Sequence, residues 1–353
     1  MSSRRTRLVA LVATTLTIGG LLTACSDDNH ASADPAPSAA ATSTTSGDVP
    51  AGEIVFRRFD EGHTQAVLMV MNSDGTGLRQ VTEPGDDEID NLPDWSPDGT
   101  QIVFERQPDG VPTEVHVVGA DGSGEHVVDP GCPKARPDGP ICEETGPSWS
   151  PDGSRLLFGW PSGRDAGGRV DVVAVGVMDV DGKNAEQLTN LDSPTTYEDA
   201  GPVWSQDGAQ IAFIRKNTTA EPVDATAVFV MTADGTDQHQ ITPWELRADD
   251  LAWAPDGSRL SFRSEPDGAA PFIGDLYTVA PEGTDLTNLT QAEPGTMTLG
   301  SSWSPDSQWI VFGASGVDDL PDLYVIRRDG SDLAPLTRTP VWDSAPDWSP
   351  AAG

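Results

Sequence analysis

The pattern Trp-Ser-Pro-Asp-Gly, followed by a short apolar run that ends in Phe, recurs along most of this chain. Complete or altered copies begin at Trp95, Trp149, Trp204, Trp253, Trp303 and Trp348. Neighbouring copies lie between 45 and 55 residues apart. Self-similarity with such a period indicates a solenoid, a propeller or another repeat array. The repeat therefore constrains the fold more strongly than the length of 353 residues does.

Each repeat contains the signals for four short strands, which we call A to D. Strand A ends at the Trp and strand B contains the Phe. In one copy, residues 175–178 form a later apolar run that leads to Asp181 and Gly182, and then to Leu188 and Thr189. Asp-Gly between two apolar runs is a strong hairpin signal, because glycine tolerates a positive φ. Four antiparallel strands per repeat predict a propeller blade, with Trp and Phe filling the space between blades.

The copies at the two ends of the chain are incomplete in complementary ways. Residues 53–56 resemble a strand B that no strand A precedes, and strands C and D follow it. Trp348 ends a strand A that no strand B follows. We therefore predict an all-β fold, a six-bladed β-propeller of four-stranded antiparallel blades. It would close by pairing N-terminal strands with a C-terminal strand, which leaves no open edge.

These repeats resemble those of the TolB-type propeller family, whose blades carry Trp-Ser-Pro-Asp-Gly, an Ile-x-Phe run, a later Asp-Gly and Leu-Thr. The resemblance covers residues 52–353. TolB itself has an α/β domain before its propeller, and we expect none here. The likeness implies a structural role in envelope assembly. Related propellers cap the hydrolase of prolyl oligopeptidases, but this sequence has no Gly-x-Ser-x-Gly turn.

Residues 1–24 are predicted to be a lipoprotein signal peptide. Three arginines precede an uncharged apolar run, residues 8–22, which is too short for a stable transmembrane anchor. The run leads into Leu-Thr-Ala-Cys, which resembles a bacterial lipobox, so Cys25 is expected to carry diacylglycerol. An ordinary secretory signal with a chance cysteine is the alternative. We expect an exported protein, anchored by lipid to the extracytoplasmic side of the cell membrane.

Two further segments follow from composition. Residues 25–51 are rich in Ser, Ala, Thr and Pro, and are expected to be a disordered tether because they offer little to bury. Residues 52–353 form the predicted propeller. Cys132 and Cys142 lie in one loop rich in Pro and Gly, where an exported protein is expected to form a disulfide.

The formal net charge of −35 restricts the possible partners. It argues against nucleic acid, whose phosphates need Lys and Arg, and against anionic membrane surfaces. It favours cations or a basic partner, unless acidity is simply the composition of the source organism. We expect a monomer that contacts the membrane only through its lipid and binds a protein, peptide or glycan of the cell envelope.

A candidate site lies where the variable B–C and D–A connections meet, because loops of varied length on a regular scaffold mark a binding face. Carboxylates precede strand A in five of the predicted blades. The ones expected to form a negative ring at the channel mouth are Glu88, Asp90, Glu144, Asp199, Asp250 and Asp343. Crowded carboxylates should raise each other's pKa. A solvated rim, a site for a basic group and a metal site remain open.

Aromatic residues in the variable loops are further candidates for the same site. Trp160, Tyr197, Trp244 and Trp342 could contact a sugar or a peptide, or they could cover the rim of the blades. No cofactor is predicted, although Ca²⁺ is conceivable without any EF-hand spacing. The sequence favours a binding or scaffolding module that is not an enzyme. A hydrolase or lyase at the channel mouth is the alternative, without clustered His or a nucleophile turn to support it.

Overall fold

The computed structural model describes residues 49–108, 113–129, 146–163, 172–189, 197–217, 225–265, 273–291, 296–315 and 319–350. These residues are strands and turns, apart from one short 3-10 helix, Trp244–Leu246. The predicted all-β class is therefore confirmed. None of the described helical residues forms a segment long and apolar enough to cross a membrane. The signal peptide, most of the tether, and four predicted site residues lie outside the described ranges: Cys25, Cys132, Cys142 and Glu144.

The described strands form one eight-stranded sheet and four four-stranded sheets. The eight-stranded sheet consists of two groups of four antiparallel strands joined by one parallel bridge, and we number these groups as the first and second sheets. The first contains β1 Glu53–Phe59, β2 Ala66–Asn72, β3 Arg79–Gln80 and β24 Asp343–Trp348. The second contains β4 Ile89–Trp95, β5 Gln101–Gln107, β6 Glu114–Gly119 and β7 His126–Val127. The third contains β8 Ser148–Trp149, β9 Arg155–Gly163, β10 Val172–Asp179 and β11 Glu186–Gln187.

Three more sheets follow along the chain. The fourth contains β12 Tyr197–Trp204, β13 Gln210–Asn217, β14 Ala225–Thr232 and β15 His239–Gln240. The fifth contains β16 Ala248–Trp253, β17 Leu260–Ser264, β18 Asp275–Val279 and β19 Thr287–Asn288. The sixth contains β20 Met297–Trp303, β21 Trp309–Ser315, β22 Asp322–Arg327 and β23 Ala334–Pro335. We call β4, β8, β12, β16, β20 and β24 the Trp strands.

The first sheet is built from both ends of the described chain. Strand β1 lies between β2 and β24, with Ile54 opposite Trp348. A single parallel bridge between Ala66 and Ile89 also links the first sheet to the second. The N-terminal strand therefore has partners on both edges, so its backbone groups are paired within the sheet.

Neighbouring sheets approach each other closely at the glycine of each turn between strands C and D. Gly235 has φ +83°, and a Cβ on it would lie 2.6 Å from the carbonyl oxygen of Leu188 in the preceding sheet. In the first sheet, a Cβ on Gly75 would lie 3.3 Å from the carbonyl oxygen of Leu336 in the sixth. The hairpin glycines are thus required by close packing between sheets as well as by their backbone conformation.

The aromatic residues of the repeat form the core between sheets. The six repeat phenylalanines are at most 1 % exposed: Phe56, Phe104, Phe158, Phe213, Phe262 and Phe312. Trp95 packs with Val55 and Leu68 of the first sheet as well as with Phe104 of its own. This is the packing role that the repeat pattern predicts for Trp and Phe.

A backbone feature that the repeat pattern did not predict occurs three residues before each repeat Trp. All six residues there have a positive φ: Leu92, Gly146, Gly201, Asp250, Gly300 and Ala345. In the fourth sheet, the step from Asp199 to Val203 spans four residues while its partner strand moves three, from Arg215 to Ala212. One extra residue in one strand is a β-bulge, and it reverses the face of every side chain beyond it.

The bulge determines which side chains face the same way. Asp199 lies opposite Arg215, and Trp204 lies opposite Ile211; both partners are on the Phe213 face of β13. Val203, directly before the Trp, lies opposite Ala212 and therefore faces the other way. The residue five before the Trp and the residue directly before it consequently occupy opposite faces of the sheet.

Candidate functional site

A cavity of about 500 Å³ lies among the Trp strands. All six repeat tryptophans contribute to its lining: Trp95, Trp149, Trp204, Trp253, Trp303 and Trp348. The residues directly before them line it as well: Asp94, Ser148, Val203, Ala252, Ser302 and Asp347. The bulge explains this placement, because it directs that position away from the Phe face.

Two of those positions carry a carboxylate. Asp347 of the first sheet accepts hydrogen bonds from the Trp95 backbone N–H at 2.8 Å and from the Ser302 hydroxyl at 2.6 Å. Asp94 of the second sheet accepts one from the Trp149 backbone N–H at 2.6 Å. Each carboxylate therefore reaches the Trp strand of the next sheet. They join neighbouring sheets at the wall of the cavity.

The electrostatics of this pair are unusual. Burial raises the pKa of Asp347 to about 6, although its hydrogen bonds oppose the shift. Burial, and then the charge of Asp347, raise the pKa of Asp94 well above its ordinary value. Within the described ranges, neither carboxylate has a Lys or Arg at salt-bridge distance. Two carboxylates close together in a buried site disfavour each other's ionisation, and an added cation would relieve that repulsion.

Another part of the cavity wall is apolar. The fourth and fifth sheets place Val203 and Ala252 where the second and first sheets place Asp94 and Asp347. Leu251, together with Ile214 and the tryptophans, extends this surface. The fifth sheet also lines the cavity with Asp249 and Asp250, which both pair with Arg263. Within the described residues, the cavity thus combines carboxylates without a cationic partner on the first two sheets with apolar side chains and arginine-paired carboxylates on the fourth and fifth. Such a site suits a group that carries a positive charge on an apolar stem.

The carboxylates predicted to ring the channel mouth have a different environment. Asp90, Asp199 and Asp343 have fully buried side chains. Each pairs with the arginine opposite it on the adjacent strand, at 2.6 Å for Arg106, 2.7 Å for Arg215 and 2.7 Å for Arg58. The prediction that these three carboxylates crowd together and repel one another is therefore wrong, because each is paired with an arginine; ligand binding by them stays a prediction. Burial raises the pKa of Asp90, and the hydrogen bonds and charge of Arg106 oppose that shift.

The other predicted acids are only partly in the cavity. Asp250 lines it, lies 3.1 Å from the Arg263 Nε atom, and accepts a hydrogen bond from Gly300 N–H at 3.2 Å. Glu88 accepts a hydrogen bond from Gly85 N–H and lies 3.8 Å from Arg106. These two carboxylates are therefore also compensated by arginine. Ligand binding by Asp250 and Glu88 stays a prediction.

The predicted aromatic residues form separate clusters. Tyr197 and Trp244 stack with centroids 6.4 Å apart, and the Arg215 guanidinium lies 5.5 Å from the Tyr197 centroid. Trp342 packs edge-on against Phe59 and donates its indole N–H to the Ser344 hydroxyl at 2.9 Å.

The fourth predicted aromatic, Trp160, packs against Phe158 with centroids 5.6 Å apart. The lining of the central cavity, as the described residues define it, includes none of these four aromatics. Their role in ligand binding stays a prediction.

Sequence reasoning missed Asp94 and Asp347, because both belong to the repeat motif. A signal was available: only two of the six copies have Asp directly before Trp. It also missed the side chains at the position after the repeat Phe, among them Arg57 and Glu105. Among the described residues, no group of three or more His, Cys, Asp or Glu could hold a metal ion.

Comparison with known proteins identifies the family of this chain. Residues 164–353, more than half of the chain, match the TolB beta propeller domain. The chain belongs to the TolB beta propeller family. The fold of TolB from Acinetobacter baumannii is similar, with a TM-score of 0.66 at 17 % identity, over 85 % of this chain and 67 % of that one. The resemblance inferred from the repeat residues is confirmed.

This TolB-family chain also matches parts of larger proteins. It is 27 % identical over 179 residues to a probable dipeptidyl-aminopeptidase B of Emericella nidulans, covering 43 % of this chain and 18 % of that protein. It is 28 % identical over 189 residues to an uncharacterized peptidase, YuxL, of Bacillus subtilis, covering 52 % and 24 %. The matches thus span less than a quarter of the length of these relatives. Propellers of this kind also occur in proteins named as peptidases.

Proposed function

We propose that this TolB-family propeller is a binding module whose central channel takes up a cationic group on an apolar stem. A lysine or arginine side chain of an extended peptide presents that chemistry. One observation supports the proposal above all others. Asp94 and Asp347 lie half-buried in the cavity wall with raised pKa values, and within the described residues no cation pairs with them.

We also propose that the six sheets are the blades of a closed ring. The pairing of β1 with β24 supports this, as does the contact of Gly75 with Leu336. In such a ring the fourth and fifth blades lie across the channel from the first and second. The apolar residues Val203 and Ala252 then face the carboxylate pair. A cationic side chain would place its charge on one wall and its methylene groups on the other.

The energetics favour a cation for physical reasons. A carboxylate in a low-dielectric cavity interacts strongly with an incoming positive charge. Folding has already removed part of the water around the two carboxylates, so the ligand does not have to displace that water when it binds. The net charge of −35 also raises the local concentration of cations and speeds their association. The cavity volume of about 500 Å³ falls in the range of small-ligand pockets.

The location of the protein belongs to the same proposal. Export, a lipid anchor at Cys25 and a tether to residue 51 would hold the propeller near the extracytoplasmic surface of the membrane. A disulfide between Cys132 and Cys142 suits that compartment. The partner would be a basic segment of a protein or peptide of the cell envelope, and a glycan is the weaker candidate because the channel lining is acidic.

A second candidate function is hydrolysis. Two half-buried carboxylates with raised pKa values are the kind of pair that enzymes use as general acid and base. The likeness to proteins named as peptidases makes this worth testing, although the match to them covers only a minor part of their length. If the channel is catalytic, the bound peptide should be cleaved, and replacing either carboxylate should prevent cleavage.

The proposal is tested with the fluorescently labelled peptide acetyl-Gly-Lys-Ala-Ala-Gln-Gly-amide. We expect it to bind the wild-type protein, and the double variant Asp94→Asn/Asp347→Asn to bind it about tenfold or more weakly. Asp329→Asn/Asp332→Asn is the matched control, because it removes the same two negative charges from exposed carboxylates. Equal binding by the double variant and the control would contradict the proposal. Mass spectrometry of the same mixtures detects cleavage.

A further inference from the structure

Arg57 differs from the other arginines near the Trp strands. Its neighbour Arg58, like Arg106, Arg215 and Arg263, pairs with an aspartate of the Trp strand opposite. Within the described ranges, Arg57 has no carboxylate at salt-bridge distance. In a protein with 56 acidic residues and 21 Lys and Arg, a half-buried cation without an anionic partner requires an explanation.

Neutral side chains hold the Arg57 guanidinium in place. Its Nε and Nη2 atoms donate to the Ser344 hydroxyl at 3.1 and 2.8 Å, and Nη1 donates to the Asn91 amide oxygen at 2.7 Å. The guanidinium also lies 4.7 Å from the Phe59 ring centroid. Because a guanidinium carries five N–H groups, these three bonds leave two N–H donors for a further acceptor. The guanidinium is therefore fixed in orientation and still has N–H donors available for an acceptor.

The nearby carboxylates are already engaged elsewhere. Glu105 accepts hydrogen bonds from Asn91 at 2.9 Å and from Gly146 N–H at 3.2 Å, and burial raises its pKa. Asp250 is paired with Arg263. Burial lowers the pKa of Arg57 to about 10, and the charges of Asp250 and Glu105 limit that shift. Arg57 therefore stays charged at neutral pH in a site that disfavours an isolated charge.

Arg57 lies on the same face of the first sheet as Asp347. It is opposite Ser344, and Val55, two residues earlier on the same strand, is opposite Asp347. Side chains two residues apart on a strand share a face. Ser344 and Asp347 lie opposite two residues of the regular strand β1 that are only two positions apart, which corresponds to roughly 7 Å along the sheet. A cation and a carboxylate pair thus share one face at that separation.

Arg57 is not among the residues that line the cavity, but Glu105 and Asp250, whose charges act on it, both line it. We propose that Arg57 is an anion-binding subsite at the edge of the channel, which takes a carboxylate of the same ligand whose cationic group lies at Asp94 and Asp347. The inference rests on the proposed function, and it specifies the ligand further. The ligand is a peptide segment with a basic and an acidic group roughly 7 Å apart on one side, such as Lys and Glu separated by one residue in an extended chain.

Three labelled peptides separate this inference from the proposed function. One carries both charges, acetyl-Gly-Lys-Ala-Glu-Gly-amide; the second has Gln for Glu, and the third has Gln for Lys. Binding is measured with wild type, Arg57→Gln, Arg57→Lys, and the control Arg79→Gln. Arg79 already pairs with Glu53 and donates to the Ala120 carbonyl, so this control makes the same change in net charge at an arginine that has a carboxylate partner.

The expected result is a charge-specific loss. Wild type and Arg79→Gln should bind the doubly charged peptide about tenfold more tightly than its Gln-for-Glu form, and Arg57→Gln should remove that preference. Arg57→Lys should restore part of it, because lysine keeps the charge without the planar donors. If Arg57→Gln keeps the full preference, the inference is overturned while the proposed function stands.

A different result would contradict the proposed function and leave the Arg57 subsite standing. If the purely cationic peptide does not bind wild type, but the purely anionic one binds and needs Arg57, the proposed function fails and the subsite stands. If no peptide binds wild type, both fail. Circular dichroism melts of each variant show whether it is folded, and Arg57→Lys supplies the comparison if Arg57→Gln is not.

Discussion

Two sets of aspartates on the Trp strands have opposite environments. Asp90, Asp199 and Asp343, five residues before the Trp, are fully buried and paired with arginine. Asp94 and Asp347, directly before the Trp, accept backbone N–H groups of the next sheet, and within the described residues have no cationic partner. The same side chain thus forms a buried ion pair at one position and lies half-buried in the cavity wall at the other.

The bulge between the two positions causes this difference. In a regular strand, residues four apart face the same side, so both aspartates would have met the arginines of the neighbouring strand. The extra residue at the bulge directs the second aspartate to the cavity instead. The presence of a carboxylate near the Trp therefore does not identify the site. The environment of each carboxylate depends on whether the bulge directs it to an arginine or to the cavity.

The largest expected effect tests the aspartates that are paired with arginine. Asp199→Ala leaves Arg215, whose side chain is only 12 % exposed, without its carboxylate. Removing one partner of a buried ion pair costs about 3–5 kcal/mol of unfolding free energy. The control Asp332→Ala breaks an exposed pair with Arg327 and should cost less than about 1 kcal/mol. Urea denaturation measures both, and equal losses would show that burial does not distinguish these pairs.

Much of the fold was predictable from the repeat, and much less of the site. Four strands per repeat follow from local signals such as the Asp-Gly turn at Gly235 and the buried Phe213. The site depends on register, because one inserted residue exchanges the faces of the Trp strand. Gly146, Gly201 and Gly300, three residues before their tryptophans, carried that signal. Ion pairing across strands could be recognised only once the register was known.

A smaller expected effect tests Asp347, one of the two cavity carboxylates, through the pH dependence of the unfolding free energy. The folded-state pKa of Asp347 is raised to about 6, so the folded protein binds more protons than the unfolded chain between about pH 4 and 6. The contribution of Asp347 therefore destabilises the fold increasingly as pH rises through that window. Asp347→Asn removes this cost while keeping an acceptor for Trp95 N–H. The variant should be more stable than wild type by about 1–3 kcal/mol at pH 7.5.

The gain in Asp347→Asn should disappear near pH 4, where the folded wild type carries a protonated, uncharged Asp347. Urea denaturation at pH 4, 5.5 and 7.5 measures the difference. Asp332→Asn provides the control for removal of one charge, since Asp332 lies in an exposed pair. A difference between Asp347→Asn and wild type that is the same at all three pH values would contradict the raised pKa.

The smallest expected effect concerns the bulge that lies between the arginine-paired aspartates and the cavity aspartates. Ala345 has φ +49°, a conformation that costs a residue with a Cβ roughly 1–2 kcal/mol and costs glycine almost nothing. Because glycine also gains freedom in the unfolded chain, Ala345→Gly should stabilise the fold by only about 0.5 kcal/mol. Ala314→Gly, within strand β21, makes the same replacement without relieving any strain and should destabilise by about 0.5–1 kcal/mol. Thermal melts of the two variants should therefore shift in opposite directions. A shift in the same direction would mean that the left-handed residue is not under strain, and that the fold adopts this bulge without cost.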